Sequence, residues 1–300
     1  MNRTAVLWLA VALLVTAWFL QDLQAQEYRF VRTIGQPSAV GDPHGPAVDQ
    51  PSNLTYVQVA IYDVAPSAAR EFEAALQSTR DTAVAEPSFI NERVMHNLDA
   101  LTLQYATYTK FSDRAGAERF MQQRLAKVRP FCRRNPEVHL TALTQSYFPE
   151  GITDRPTGVE FGVTMTGQVA HLGLFIPYPR YHQQYNDVLH ETKVFTRDQK
   201  PTGYIGEDIL IEVDVVPPEA QAPYSPRPPE PSKMSINYGE YLTLENAEDS
   251  YVLRRELQDP KLITMERVFL SSLQVPTRFY IFQVVGNYGR LEAAAPDSGK

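Results

Sequence analysis

Tyr105-Ala106-Thr107-Tyr108-Thr109-Lys110-Phe111-Ser112-Asp113-Arg114-Ala115-Gly116-Ala117-Glu118-Arg119-Phe120 is the stretch whose reading decides the fold. Its first half continues from Leu103 as an aromatic strand ending at Phe111. Ser112-Asp113 then offers a side-chain oxygen to the unpaired N–H groups that open a helix. Beyond that cap Ala117, Met121, Leu125, Val128 and Cys132 recur on one helical stripe. Working outward, Phe89–Asn97 reads as a second strand joined to the first by the turn-like Asn97-Leu98-Asp99-Ala100. Further upstream Phe72, Ala75, Leu76, Thr79 and Ala83 keep helical spacing behind Pro66-Ser67, and Val57, Val59 and Ile61 alternate as a strand. Downstream, after Asn135-Pro136, Val138–Phe148 completes the set. The order strand-helix-strand-strand-helix-strand is the split βαβ, or ferredoxin-like, plan.

The rest of the chain repeats it. Val59, Ile61, Pro66, Phe72 and Leu76 match Leu172, Leu174, Pro179, Tyr185 and Leu189 at a displacement of 113. Tyr105, Thr107 and Asp113 match Tyr241, Thr243 and Asp249 at 136. The excess of 23 is close to the length of 216–233, a stretch with seven prolines that admits neither helix interior nor central strand. One insertion in a second copy explains both offsets. The expected class is α+β, with two ferredoxin-like units, 55–150 and 158–287, forming a dimeric-α/β-barrel-type pseudo-dimer. The same offset predicts a helix over 261–273, with Leu262, Met265, Phe269 and Leu273 on one stripe, and a last strand over Phe279–Val285. The runner-up architecture keeps only the first unit and pairs it with another subunit.

The ends of the chain carry an address. Arg3 precedes an apolar run, Ala5–Leu20, and a polar stretch with Ala25 follows, the order of a secretory signal peptide over 1–25. Sixteen apolar residues fall short of the roughly 20 that span a bilayer, so an uncleaved anchor is the lesser reading. Export to a periplasmic or extracellular site is expected, with 26–54 an extended lead-in and 288–300 a tail. A net charge of −7 argues against nucleic acid as a partner. One cysteine forms no intramolecular disulfide, and no zinc pattern, phosphate loop or Gly-x-Ser-x-Gly nucleophile motif is present. Both tryptophans, Trp8 and Trp18, leave with the leader.

The aromatic strand, the Ser/Asp cap and the Ala-x-x-x-aromatic helix of 105–120 resemble the antibiotic-biosynthesis monooxygenase family of dimeric α/β barrels over about 55–148. The resemblance implies two four-stranded sheets closed into a barrel that holds a small aromatic or polyketide-like substrate, or haem in the haem-degrading branch. Where that branch and several quinone-forming members carry Trp, this chain has Phe111, and Phe120–Arg134 lacks the histidine that ligates haem there. Haem chemistry is therefore not expected, and no cofactor or metal is implied.

Site candidates follow from strand parity. His171, Gly173 and Phe175 share one face of their strand, and Gln58, Ala60 and Tyr62 the matching face of theirs, while Val59, Ile61, Leu172 and Leu174 lie opposite. If the aliphatic faces pack on the helices, the mixed faces line the barrel. Tyr62, Tyr105, Phe111, His171 and Phe175 are then the ligand-binding candidates, with His171 the one strand histidine flanked by aromatic parity mates. Catalytic residues are not assigned. His182 and His190, eight apart on a helix, read as polar flanks of a core stripe rather than a metal pair. Cys132, among Arg129, Arg133 and Arg134, is either an activated thiol or a buried inert one, the latter preferred. The six basic residues Arg119, Arg124, Lys127, Arg129, Arg133 and Arg134 read as a solvated helix face, or else greet an anionic surface. Asn53-Leu54-Thr55 is a glycosylation pattern. Two functions compete: a barrel binding a small aromatic or hydrophobic ligand, as carrier or cofactor-independent monooxygenase, and a structural protein docking a protein partner through 216–233. A membrane partner enters only through an uncleaved leader.

Overall fold

The computed structural model describes residues 55–97, 103–147, 168–199, 201–214, 230–249, 267–274 and 277–289. The leader, the lead-in with Asn53, the turn residues 98–100, positions 216–229 of the proline-rich stretch, 261–266 of the expected helix and the tail beyond 289 lie outside them. The first unit is β1 (Tyr56–Asp63), α1 (Ala69–Val84), β2 (Phe89–Asn97), β3 (Gln104–Phe111), α2 (Arg114–Val128) and β4 (Glu137–Tyr147). Pro66 opens a single 3₁₀ turn before α1, and Asp113 caps α2 by accepting from the Gly116 N–H at 2.7 Å. The second unit has β5 (Val169–Phe175), α3 (His182–Gln199), β6 (Tyr204–Glu212), β7 (Ser235–Tyr241) and β8 (Arg278–Gly289), with helical turns at 244–249 and 267–271 between the last two. Helix 267–271 stops short of the expected 273, where Leu273 bridges Pro177 instead.

The strands close a barrel in the order β1-β3-β2-β8-β5-β7-β6-β4, every pair antiparallel. Each strand of the first unit stands four places from its counterpart, so a half-turn about the barrel axis exchanges the units. Register fixes which residues correspond. Gln58 faces Thr109 and His171 faces Gly239, so the displacement of 113 holds for β1 and β5 and becomes 130 for β3 and β7. The expected 136 is therefore corrected. It matched Asp113 to Asp249 by residue type, whereas the cap in the second unit is Thr243, whose hydroxyl accepts from the Asn246 N–H at 3.1 Å.

The two sheet faces are the reverse of the expectation. Val57, Val59, Ile61, Leu172, Leu174, Leu210, Ile236 and Val284 pack together inside the barrel with no helix residue among them. Tyr62, Tyr105 and Ala60 pack with Phe72 and Leu76 of α1, and Phe175 with Tyr185 and Leu189 of α3. An eight-stranded barrel is just wide enough to be filled by side chains, so its interior is itself an apolar core. The outer faces carry the mixed residues because the helices bring polar partners to meet them. Arg124 is the clearest case. Expected on a solvated face, it is fully buried between α2 and the sheet, while Arg119, Lys127, Arg129, Arg133 and Arg134 are exposed.

Candidate functional site in the barrel lumen

Period-two alternation sends Arg93, Tyr108 and Lys110 from the first unit and Asp208, Tyr238 and Glu240 from the second into the lumen, beside Met95, Ala106, Leu210 and Ile236. At its centre the rings of Tyr108 and Tyr238 stack with centroids 4.1 Å apart and planes 19° apart. These two residues occupy equivalent positions, 130 apart, so the stack sits on the pseudo-two-fold axis. Tyr108 donates its O–H to Asp208 Oδ2 at 2.6 Å, and Tyr238 donates to Glu240 Oε1. Ser146 adds a second donor to Asp208 at 2.6 Å, and the Gln168 amide donates to Glu240 at 2.6 Å. Each carboxylate faces a cation across the lumen: Lys110 Nζ stands 3.5 Å from Asp208, and Arg93 Nε 3.1 Å from Glu240. Arg93 also donates to Asn287. Asp208, Glu240 and Tyr238 are wholly buried, and Arg93 is 2% exposed.

Towards one mouth a second group forms. His139 Nε2 lies 2.9 Å from Glu137 and Nδ1 3.1 Å from Glu212, and Arg278 reaches Glu137 at 2.6 and 2.9 Å. Burial opposes a charge on His139, but its two carboxylate hydrogen bonds outweigh burial and lift it to about 9. Burial likewise opposes the Glu137 charge, and the bonds from His139 and Arg278 overcome it, lowering Glu137 to about 2.

The five residues expected from sequence lie elsewhere, in the outer layer, and at separate places. Tyr62 and Tyr105 meet through Phe72, at 5.3 and 5.0 Å between centroids. Burial raises both phenols, and the Glu73 carboxylate that accepts from Tyr105 raises the latter further. Phe111 packs between Phe89 and Phe120, and Phe175 among Tyr185, Phe269 and Phe279. His171 lies under α3, Nε2 3.4 Å from Glu207, whose other oxygen takes Lys193 Nζ at 2.8 Å. His182 meets Ser232 and His190 meets Tyr147, so the two helical histidines serve different contacts. The Cys132 thiol is pushed up to about 11 by burial and by Asp63, while Arg133 and Arg134 pair with that same Asp63. Among the described residues no cluster of three His, Cys, Asp or Glu is placed to hold a metal ion.

The lumen centre was missed, although a signal existed. Arg93, Lys110, Asp208 and Glu240 are charges within strands, on the parity of Met95, Tyr108, Leu210 and Ile236, a pattern that marks them as lumen residues once the inward face is known.

No protein-family model matches this sequence, and no curated protein matches it. Solved structures do. An anthrone oxidase-like protein superposes with a TM-score of 0.58 at 11% identity, over 81% of this chain and 97% of that one. The shared fold is two ferredoxin-like units closed into one barrel. A candidate monooxygenase of Fusobacterium nucleatum subsp. nucleatum follows with 0.54 at 7% identity, covering 79% and 95%, and one of Lactobacillus acidophilus with 0.51 at 9%, covering 79% and 97%. Each of the three spans both units, so the internal pseudo-dimer read from the repeat is the architecture of this chain. The first-unit-only runner-up is set aside.

Proposed function

We propose that this chain is an exported barrel that binds a planar, weakly acidic aromatic at the lumen centre and oxygenates it without a cofactor. The observation that carries this reading is the buried tyrosine stack with a carboxylate on each hydroxyl and a cation on each carboxylate. A barrel kept only for stability gains little from such charges, because well-packed apolar residues do as well or better. The stack marks a flat slot, and parting its rings by about one further van der Waals contact, roughly 3.5 Å, admits a third ring. Asp208 then takes a proton from a C–H beside the ring carbonyl. Lys110 and Arg93 stabilise the enolate oxygen in a dry site where their charge counts most. The enolate carbon gives electrons to O₂ to form a C–O bond, and the hydroperoxide loses water, converting CH₂ plus O₂ to C=O plus H₂O. Export rests on the leader sequence alone.

One observation favours a second reading. Val59, Ala106, Tyr108, Leu172, Leu210, Ile236, Tyr238 and Phe282 are all buried to within 1%, which describes a barrel filled by its own side chains. Such a barrel serves as a scaffold for a partner docked through the proline-rich stretch. Oxygen consumption with an anthrone separates the two. The enzyme consumes one O₂ per substrate, and Asp208→Asn cuts the rate at least about 100-fold, the scale of a lost general base. No uptake by the full chain, together with no mass shift of the native protein on adding the anthrone, leaves the scaffold reading.

A further inference from the structure

Register makes Arg93 the counterpart of Asp208, since they face the equivalent Tyr108 and Tyr238. It makes Lys110 the counterpart of Glu240, 130 residues on, and Glu137 the counterpart of Arg278, since they face Ile61 and Leu174. At all three pairs of equivalent positions the charge is inverted. The cross-lumen pairs Arg93–Glu240 and Lys110–Asp208 are thus one contact seen twice with its polarity reversed, and Glu137 meets its own counterpart at the mouth.

We infer that the lumen-facing surfaces of the two units form a heterotypic pairing interface, so that a unit closes a barrel only on its unlike partner, in the same chain or in a second copy. Two first units would set Arg93 against Lys110 twice over and Glu137 against Glu137. Two second units would set Asp208 against Glu240 and Arg278 against Arg278. Either closure buries four like charges beside the tyrosine stack, where an unpaired charge is most costly. The repulsive arrangement acts alongside the attractive one, which is how an interface rejects a near-identical competitor. A barrel built from two copies of one chain has no access to this device, because symmetry puts the same residue at both positions.

The test keeps the full chain and its net charge. In Arg93→Asp/Asp208→Arg, unlike closure sets Asp against Glu240 and Arg against Lys110, whereas like closure satisfies both pairs beside the tyrosine stack and leaves like charges only at the half-exposed mouth, Glu137 or Arg278. The expected result is loss of the wild-type oligomeric state in light scattering, with dimers or larger species, or a fall in melting midpoint of more than about 10 °C, as two broken buried pairs imply. Adding Lys110→Glu and Glu240→Lys restores opposite charges across the lumen. This quadruple variant is expected to regain the wild-type oligomeric state and at least half of the lost midpoint. A double variant indistinguishable from wild type, or a quadruple variant no better than the double, overturns the inference.

Discussion

Neighbouring residues on one strand divide the work of the outer layer and the lumen. Glu92 points outward and pairs with Arg124 of α2, its own unit's helix, with Thr109 and Thr79 completing the set at 2.9 and 3.0 Å. Arg93, one residue on, points inward and pairs with Glu240 of the other unit. The second unit does the same: Glu207 takes Lys193 of α3, and Asp208 takes Lys110. Outer pairs fasten a helix to its sheet, while lumen pairs fasten one unit to the other. A period of two lets a single strand carry both tasks without conflict.

The largest expected effect breaks an outer pair. Arg124→Ala leaves Glu92 wholly buried without its guanidinium and is expected to cost about 3–5 kcal/mol in urea unfolding, while Glu92→Leu/Arg124→Met recovers most of the loss. A double variant as unstable as the single would mean that packing, not charge, decides.

The lumen side answers to pH. His139, raised from 6.5 to about 9, contributes stability that is full below pH 6.5 and is lost as pH rises through about 9. Glu137, lowered from 4.5 to about 2, contributes above pH 4.5 and loses its part as pH falls through about 2. Between pH 6.5 and 9 the chain is expected to lose about 3 kcal/mol through His139, the equivalent of its shift. A His139→Gln chain with the same slope over that range would refute the assignment.

A smaller effect sharpens the outer layer. A Cβ at Gly239 would stand 2.4 Å from His171 Cε1 and 3.0 Å from Glu207 Cγ. Gly239→Ala is expected to displace the imidazole and cost about 1–3 kcal/mol, with the His171 ring proton shifts in NMR as the specific readout. Unmoved shifts would show that the site has slack.

The smallest change goes the other way. Gln58 is fully buried with neither amide atom hydrogen-bonded, at the position equivalent to His171. Gln58→Leu is expected to raise stability by about 1 kcal/mol. A drop instead would point to a polar role for this amide in the outer layer.

Much of the fold was legible in the sequence. β2 runs over Phe89–Asn97 as read, Asp113 caps its helix, and the β1/β5 displacement of 113 survives. The candidate site was not legible, for a definable reason. Parity tells which residues share a face but not which face turns inward, and in β3 all eight residues are buried. With Tyr105, Thr107, Thr109 and Phe111 on one side and Ala106, Tyr108 and Lys110 on the other, neither side is polar enough to be assigned to solvent. Arg124 was misplaced on similar grounds. A cation on a helix reads as solvated until the glutamate that holds it is seen on the strand beneath.

The ring of strands also governs how the molecule would come apart. Every strand has a partner on both sides, so among the described strands no ladder edge is left bare. The two seams between units, β2 with β8 and β4 with β6, are paired antiparallel ladders like those within the units, each with one register shift. A protease cut in the connection 148–167 would therefore pass unnoticed in gel filtration and appear only on a denaturing gel. Pulling the cut halves apart would uncover four strand edges at once, each a template for further pairing. Separation would end in precipitate rather than in two soluble pieces.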